Sequence, residues 1–354
     1  MGLIIAWASI CYNSSMGDKY IVDEEAVKVW ITDIYGISVQ SLTKLDLGAD
    51  IHSTLYRVES TDSKSYFLKF RTGNFEEISL SIPHFLTKSG IPHLVAPIET
   101  TARTLFAQYQ TSWGMIYPWV DAKTSAEQPM SASEWQQFGS TLQAIHTAVL
   151  PENITAHLKV ETFSTHWLDQ FTLVLTHELQ KTHADDLSSV VRGFLSEKKS
   201  VLDDLHIKTR ELHSRISGKN FQKVLCHADL HAANVLVDTA ENIHIVDWDN
   251  PILAPIERDL MFVGAGIIDV WNTDQELQWF YKGYGKPEIN VELIQYYRYL
   301  RVIEDIVVTA RSIFDGEGTR IAREKYFGYL KDNFYPNGTI ALAEKTQEQL
   351  QAIF

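Results

Sequence analysis

The sequence predicts an α+β protein in which a small antiparallel β-sheet precedes a larger, mainly helical part. Alternating apolar and polar residues in the first third of the chain are typical of half-buried strands, whereas apolar residues recur at helical spacing after about residue 130. The 354 residues are 45% hydrophobic, which is enough to bury the core of two lobes or domains. We expect an N-terminal lobe over residues 16–120 and a helical lobe over residues 121–354.

Residues 1–15 form an apolar extension before the predicted lobe. The run is too short to span a bilayer and lacks the basic flank of a secretory signal. One interpretation is that Met16 is the natural start, and the other is a packed N-terminal element.

The N-terminal lobe is predicted to begin with a helix and to continue in three antiparallel strands. Asp23 can cap the helix, and Gly36 can end it. Strands are expected over residues 37–47, 54–59 and 65–70, with turn-forming residues between the last two.

A second helix is expected over residues 75–88, and an apolar strand over residues 113–120, interrupted at Pro118. The helical lobe then opens with a capping box formed by Ser131 and Glu134. Its further helices are expected over residues 131–146, 165–182, 186–216, 275–284, 290–314, 318–332 and 338–353.

A β-hairpin with polar flanks is predicted between residues 224 and 250. Its strands are two apolar runs, 235–237 and 243–246, joined by a turn-prone segment. His227, Asp229 and Asn234 precede or open the hairpin, and Asp247 follows it. We therefore expect the oxygens of Asp229, Asn234 and Asp247 to meet at one nucleotide-bound cation, because Mg²⁺ prefers such ligands.

The spacing from His227 through Asp229 to Asn234, followed by Asp247, is that of the catalytic segment of protein kinases. In such a layout Asp229 accepts the proton of a substrate hydroxyl, whereas Asn234 and Asp247 hold Mg²⁺. An ordinary hairpin with acidic loops is the alternative, and the complete set at this spacing argues against it.

Residues for ATP are predicted in the N-terminal lobe. Lys69, on the third strand, can bind the phosphates and pair with Glu77 on the following helix, although a solvated lysine is the alternative. Gly48 and Ser53, in the turn before the second strand, can bind phosphate oxygens. Backbone groups of Met115 to Tyr117 can bind an adenine edge, with a plain edge strand as the alternative.

Charge and cysteine content restrict the partners and the compartment. The formal charge of −14 argues against nucleic acid and anionic membranes, and gives mild support to a cationic substrate. The two cysteines show no metal-ligand or disulfide spacing, which is typical of a reducing compartment such as the cytoplasm. Cys226 is expected to be a small buried residue.

These motifs are similar to those of the aminoglycoside phosphotransferase and choline kinase family. The resemblance rests on Cys226–Leu236 and Ile245–Asp249 and extends from about residue 18 onward. It implies a bilobal protein kinase-like fold, with Asp229 as the base, Asn234 and Asp247 as Mg²⁺ ligands, Lys69 orienting ATP and His227 bracing the loop. Further segments resemble the branch that phosphorylates spectinomycin-type aminocyclitols.

The resemblance implies ATP-dependent phosphorylation of a small cationic hydroxyl compound, an aminocyclitol or aminoglycoside antibiotic first. The alternatives are a metabolic kinase for choline, homoserine or a methylthiosugar, and a nucleotide-binding pseudokinase. Oligomeric state is left open. The candidate substrate residues are Asp249, Asp269, Trp271, Tyr297, Glu304 and Asp305. For Asp259 we weigh a helix cap against hydrogen bonds to the His227 loop.

Overall fold

The structure is a computed structural model that describes residues 23–45, 53–73, 75–182, 185–266, 270–316 and 318–351. Its strands are β1 Val39–Leu45, β2 Ser53–Ser60, β3 Ser65–Thr72, β4 Ala107–Tyr109, β5 Ser112–Pro118, β6 Ala122–Thr124, β7 Lys159–Val160, β8 Val224–Cys226, β9 Val235–Asp238, β10 Ile243–Ile245 and β11 Ile252–Ala254. Its helices are α1 Glu24–Tyr35, α2 Ile78–Lys88, α3 Ala132–His146, α4 Glu152–Thr155, α5 His166–Thr176, α6 Asp186–Glu197, α7 Lys199–Ile216, α8 Glu257–Leu260, α9 Asp274–Tyr284, α10 Val291–Phe314, α11 Arg320–Asp332, α12 Thr339–Glu344 and α13 Thr346–Gln351.

The chain forms two compact units, and each unit combines two separate segments of the sequence. The first comprises residues 1–158 and 231–251, and the second comprises residues 159–230 and 252–354. The predicted lobe boundary between residues 120 and 121 stays a prediction. The α+β class is confirmed. Within the described residues, no helix is both long and apolar enough to cross a membrane.

The first unit is built on a five-stranded antiparallel sheet with the order β1-β2-β3-β5-β4. The predicted hairpins are confirmed, and β5 and β4 extend the sheet. Its buried face packs on α1, whose N-cap is Asp23 and whose last turn ends at Gly36 with φ of 68°. Only a residue that tolerates a left-handed backbone can end a helix in this way, and glycine does so without steric cost.

A smaller sheet of the first unit carries the predicted hairpin. β9 pairs with β10 in the register Val237 to Ile243, and the short strand β6 pairs with the other edge of β9. β6 lies just after the predicted lobe boundary between residues 120 and 121. α3 begins with the predicted capping box, in which Ser131 and Glu134 each accept a backbone N–H of the other.

The second unit is mainly helical, and α10 is its longest helix. The side of α10 that holds Ile294, Tyr297 and Ile306 is buried. The helix predicted over residues 186–216 is two helices, α6 and α7, which meet at Lys198. A three-stranded sheet, β7-β11-β8, completes the unit and leads directly into residue 227.

Candidate active site

The loop that follows β8 is held by one buried carboxylate. Asp259, which is fully buried in α8, accepts the backbone N–H of His227 at 2.9 Å and of Ala228 at 2.7 Å. Ala228 adopts φ of 69°, a left-handed conformation that a residue with a side chain keeps only when its surroundings impose it. Of the two roles weighed for Asp259, the structure therefore shows the hydrogen bonds to the loop.

His227 is fully buried and makes a local hydrogen bond. The backbone N–H of Asp229 donates to its Nδ1 at 3.3 Å. Nδ1 is therefore the ring nitrogen that accepts this hydrogen bond. The ring thus contacts the segment that presents Asp229. Cys226, one residue earlier, is also fully buried, with its Sγ 3.5 Å from the Pro255 carbonyl oxygen, and burial raises the pKa of this thiol.

Asp229 is buried and forms an ion pair that the sequence did not suggest. An Nη1 of Arg301 lies 3.2 Å from its Oδ1, and Nε of the same guanidinium lies 3.1 Å from Oδ1 of Asp305. Burial raises the pKa of Asp305 to about 7, although the guanidinium acts in the opposite direction. Arg301 therefore links the predicted base to a second carboxyl group. All three residues belong to the second unit.

Asn234 and Asp247 lie at one end of the β9–β10 hairpin, in the first unit. The amide of Val246 donates to the Asn234 carbonyl at 3.0 Å, which continues the strand pairing by one step past Ile245. Asn234 is buried and its Nδ2 lies 3.3 Å from Nε2 of His231, whereas Asp247 is exposed with φ of 65°. The structure thus brings two of the three predicted oxygen donors to one end of the hairpin. Their predicted meeting with Asp229 stays a prediction.

Lys69 and Arg71 share one acidic partner. Both lie on β3, two residues apart, so their side chains point to the same face of the sheet. Oδ2 of Asp249 is 3.3 Å from Nζ of Lys69 and 3.2 Å from an Nη of Arg71. Sequence reasoning missed Arg71, although its spacing of two from Lys69 was a usable signal. It also missed Arg301, which has no comparable pattern around it.

The other residues predicted for ATP have mixed surroundings. Glu77 is exposed at the start of α2, and the ion pair that the structure gives Lys69 is to Asp249. Ser53 begins β2, and Gly48 lies outside the described residues. The Ile116 carbonyl accepts the amide of Ile98 at 2.7 Å. Because backbone groups alternate along a strand, those of the neighbouring Met115 and Tyr117 face β3.

The pKa of Tyr117 is affected by nearby carboxylates. Its phenol pKa is raised by burial first, and then by the carboxylates of Asp249 and Asp247. A raised phenol pKa of this origin places both carboxylates near one aromatic ring, on the side of the first unit that holds Lys69. The predicted adenine contact of Met115 to Tyr117 stays a prediction.

The candidate substrate residues differ in accessibility. Tyr297 is fully buried, stacks on Phe163 with 6.2 Å between ring centroids, and donates to Glu161 at 3.2 Å. Trp271 is also buried, whereas Glu304 is partly exposed beside Asp305. Asp269 lies outside the described residues.

The chain is similar to known phosphotransferases in sequence and in structure. The profile of the phosphotransferase enzyme family matches residues 46–298, more than half of the chain. A search of curated proteins finds no significant match. The solved structure of spectinomycin phosphotransferase with ADP and spectinomycin is 33% identical with a TM-score of 0.87, over 93% of this chain and 100% of that chain.

Two further solved structures bear on the fold. Spectinomycin phosphotransferase in its AMP-bound complex is 32% identical with a TM-score of 0.83, over 92% of this chain and 99% of that chain. Choline kinase from Streptococcus pneumoniae has a TM-score of 0.54 at 15% identity, over 87% of this chain and 98% of that chain, and it shows a shared fold only. The resemblance read from the motifs is thus confirmed, and with it a protein kinase-like fold. The chain belongs to the phosphotransferase enzyme family and is a small-molecule phosphotransferase.

Proposed function

We propose that the protein transfers the γ-phosphoryl group of ATP to a hydroxyl of a small cationic aminocyclitol, with spectinomycin as the first candidate. The observation that carries this proposal is the 33% identity to spectinomycin phosphotransferase over 93% of the chain. The formal charge of −14 supports a cationic acceptor, because acidic surroundings attract it. Resistance to the antibiotic and a cytoplasmic location belong to the same proposal.

In the proposed mechanism Asp229 orients the acceptor hydroxyl and takes its proton. The hydroxyl oxygen forms a bond to the γ-phosphorus while the bond from that phosphorus to the β,γ-bridging oxygen breaks, and ADP leaves. Asp259 and His227 support the loop that presents Asp229. Most of the acceleration in such reactions comes from positioning and from stabilised charge, so a firmly held loop is what the chemistry needs.

Lys69 and Arg71 are proposed to bind the phosphates of ATP. Both cations point to one face of β3, and both are paired with Asp249, so phosphate oxygens would take the place of that carboxylate.

Asn234 and Asp247 fit a magnesium ion by their chemistry. Both carry the hard oxygen donors that Mg²⁺ takes, and both lie at the same end of the hairpin. Bound there, the ion would neutralise charge on the β- and γ-phosphates. The partly exposed Glu304 is proposed to contact an ammonium group of the acceptor.

A panel of acceptors tests the proposal. Purified protein with ATP and Mg²⁺ is offered spectinomycin, choline, ethanolamine, homoserine and a methylthiosugar, and ADP release is measured with and without each. We expect acceptor-dependent ADP release with spectinomycin, and its loss in Asp229→Asn and Asp247→Asn variants that remain folded.

Each other outcome is informative. Turnover with choline or homoserine alone would replace the aminocyclitol by a metabolic acceptor. Nucleotide binding without turnover on the whole panel would favour a pseudokinase. A folded Asp229→Asn variant with the parental rate would remove Asp229 from the role of base.

A further inference from the structure

We propose that Arg301 is a positioning residue for phosphoryl transfer: its guanidinium holds the carboxylate of Asp229, and Asp305 holds the guanidinium in turn. The inference rests on the proposed function, because it takes Asp229 to be the base. It adds a residue that neither the motifs nor the comparisons point to.

The contacts use two different edges of the guanidinium group. Nη1 contacts Oδ1 of Asp229 at 3.2 Å, and Nε contacts Oδ1 of Asp305 at 3.1 Å. Arg301 and Asp305 are four residues apart on α10, so that contact is made within one turn of the helix. A planar group held at two edges has a fixed plane, and the carboxylate it binds is fixed with it.

The guanidinium group also lies over the face of an aromatic ring. Its central carbon lies 5.8 Å from the centroid of the Phe262 ring. The three charged side chains are only 9% exposed at Asp229, 20% at Arg301 and 6% at Asp305. At this burial, solvent screens the ion pairs much less than at the surface. The link between α10 and the loop is therefore electrostatically strong.

The charges around Arg301 are unequal in number. The groups that face it are Asp229 from the loop, and Asp305 and Glu304 from its own helix. One guanidinium thus serves three carboxyl groups. A buried cluster of this kind contributes little net stability compared with well-packed apolar residues. Its value in this position is that it holds the Asp229 carboxyl group in one orientation.

The consequence for the reaction is a pre-set orientation of the base. The acceptor oxygen bonds to phosphorus as ADP leaves. The proton of the acceptor hydroxyl passes to the Asp229 carboxylate. A carboxylate free to rotate would have to be oriented again in every cycle, and misplacement by about 1 Å can cost about 100-fold in rate. Arg301 would remove this cost.

The test compares Arg301→Gln, Arg301→Lys and Asp305→Asn with a matched control. The control is Arg215→Gln, because Arg215 forms a surface ion pair with Glu292, also on α10. For each variant, kcat, the KM of ATP, the KM of the acceptor and the pH profile of kcat are measured, together with thermal unfolding.

We expect Arg301→Gln to lower kcat about 10- to 100-fold at an unchanged KM of ATP. The acidic limb of the pH profile of kcat should move to higher pH by about one unit in this variant, because the positive charge that favours ionised Asp229 is gone. Arg301→Lys keeps the positive charge but its ammonium group reaches one carboxylate at a time. This variant should therefore keep the acidic limb at its parental pH but recover only part of kcat. Asp305→Asn should lower kcat less than Arg301→Gln, and Arg215→Gln should stay within about twofold of the parent.

The Asp229→Asn variant distinguishes a failure of this inference from a failure of the proposed function. If it is inactive while Arg301→Gln and Arg301→Lys keep the parental kcat and limb, the inference fails and the proposed function stands. If Asp229→Asn turns over at the parental rate, the proposed function fails and the inference falls with it. A loss of kcat that follows thermal unfolding, without a shifted limb, would show a structural role and also overturn it. If Arg301→Gln does not fold, the kcat and pH profiles of Arg301→Lys and Asp305→Asn test the inference in its place.

Discussion

At the scale of single residues, two clusters in this protein share one charge among several partners. Asp249 serves both Lys69 and Arg71, and Arg301 serves both Asp229 and Asp305. Two groups that share one partner are coupled, so a change at one contact alters the other. Replacing Asp249 should therefore affect both Lys69 and Arg71, and replacing Arg301 should affect both Asp229 and Asp305.

Arg71 can be tested without changing the lysine beside it. Replacing Arg71 by Gln should raise the KM of ATP about tenfold or more, because one charge-assisted contact to phosphate is lost. Affinity for adenosine should not change, since it has no phosphate. Initial rates against ATP, with binding of ADP and adenosine by calorimetry, give the measurement.

The matched control for Arg71 is Arg103→Gln. Arg103 is an exposed arginine of the same unit, 3.8 Å from Glu99. It should leave all of these quantities unchanged. Equal losses of ADP and adenosine affinity in Arg71→Gln would show a damaged sheet and contradict the assignment to phosphate.

The raised pKa of Asp305 predicts that its contribution to stability depends on pH. Its pKa of about 7 in the folded protein lies above the ordinary 3.8, so the folded state binds this proton more tightly than the unfolded state. The contribution of Asp305 to the free energy of unfolding should therefore fall as the pH rises from about 4 through 7. Between pH 5 and pH 8, the free energy of unfolding should fall by about 2 kcal/mol less in Asp305→Asn than in the parent.

Urea titrations at the two pH values measure this difference. Asp203→Asn serves as the control, because Asp203 is half-exposed and pairs with Lys199 on the surface. The same fall in both Asp305→Asn and the parent would contradict the prediction.

At the scale of elements, the short helix α8 acts on the loop through the side chain of Asp259. The two N–H groups that Asp259 accepts belong to consecutive residues, one of them in a left-handed conformation. Neither group has a strand or helix of its own to bond within, because β8 ends at Cys226. The loop thus takes its shape from tertiary contact and not from local propensity.

Replacing Asp259 by Asn should weaken this loop. Asparagine keeps one acceptor oxygen but turns an NH₂ group toward the second backbone N–H, so a buried donor loses its partner. We expect a loss of about 2–4 kcal/mol in the free energy of unfolding. Turnover should fall as well, even below the temperature at which the protein unfolds.

Urea unfolding and kcat at low temperature check this expectation, with Asp274→Asn as the control. Asp274 is an exposed acid in the first turn of α9, and its loss should cost about 0.5 kcal/mol. An Asp259→Asn variant as stable and active as the parent would show that the loop holds its shape without the carboxylate.

Elements with local signals were predictable from the sequence. The hairpin at residues 235–245, the capping box at Ser131 and the helix end at Gly36 all follow from side chains within a few residues. β7, β8 and β11 have two or three residues each, too few to show a period, and they exist because they pair across 26 or more residues. The break at Lys198 between α6 and α7 has neither proline nor glycine to mark it.

The site shows the same division. Asp229, Asn234 and Asp247 were predicted as site residues because their spacing is that of a known motif, and Lys69 was predicted because it lies on a strand. Arg301 lies 72 residues after Asp229, inside a helix whose pattern explains it as an ordinary amphipathic residue. Only the fold brings such a pair together, so one sequence without coordinates gives no reason to choose it.

At the scale of the whole molecule, each unit needs segments that are distant in the sequence. Arg298, buried in α10, joins three of them within the second unit. Its guanidinium donates to the carbonyls of Met261 and Val263, and to Thr346 and Gln349 in α13. Burial lowers the pKa of this arginine to about 10. The C-terminal helix is thereby attached to the segment that follows α8.

Arg298→Met should destabilise the second unit. The methionine fills much of the volume, but the two main-chain carbonyls and the Gln349 side chain lose their donor. The expected loss is about 2–4 kcal/mol in the free energy of unfolding, with earlier proteolysis near residue 345. Arg215→Met, at the exposed pair with Glu292, should cost less than about 1 kcal/mol. Equal effects of the two changes would contradict the role given to Arg298.

The burial of Cys226 has a practical consequence. Its sulfur lies against main-chain oxygens three residues before Asp229, so an aqueous alkylating reagent reaches it only in molecules whose β8 has detached. The other cysteine, Cys11, lies outside the described residues, and changing it to serine leaves one reporter thiol. The labelling half-time then measures how often β8 opens, and it should lengthen when nucleotide and acceptor are added.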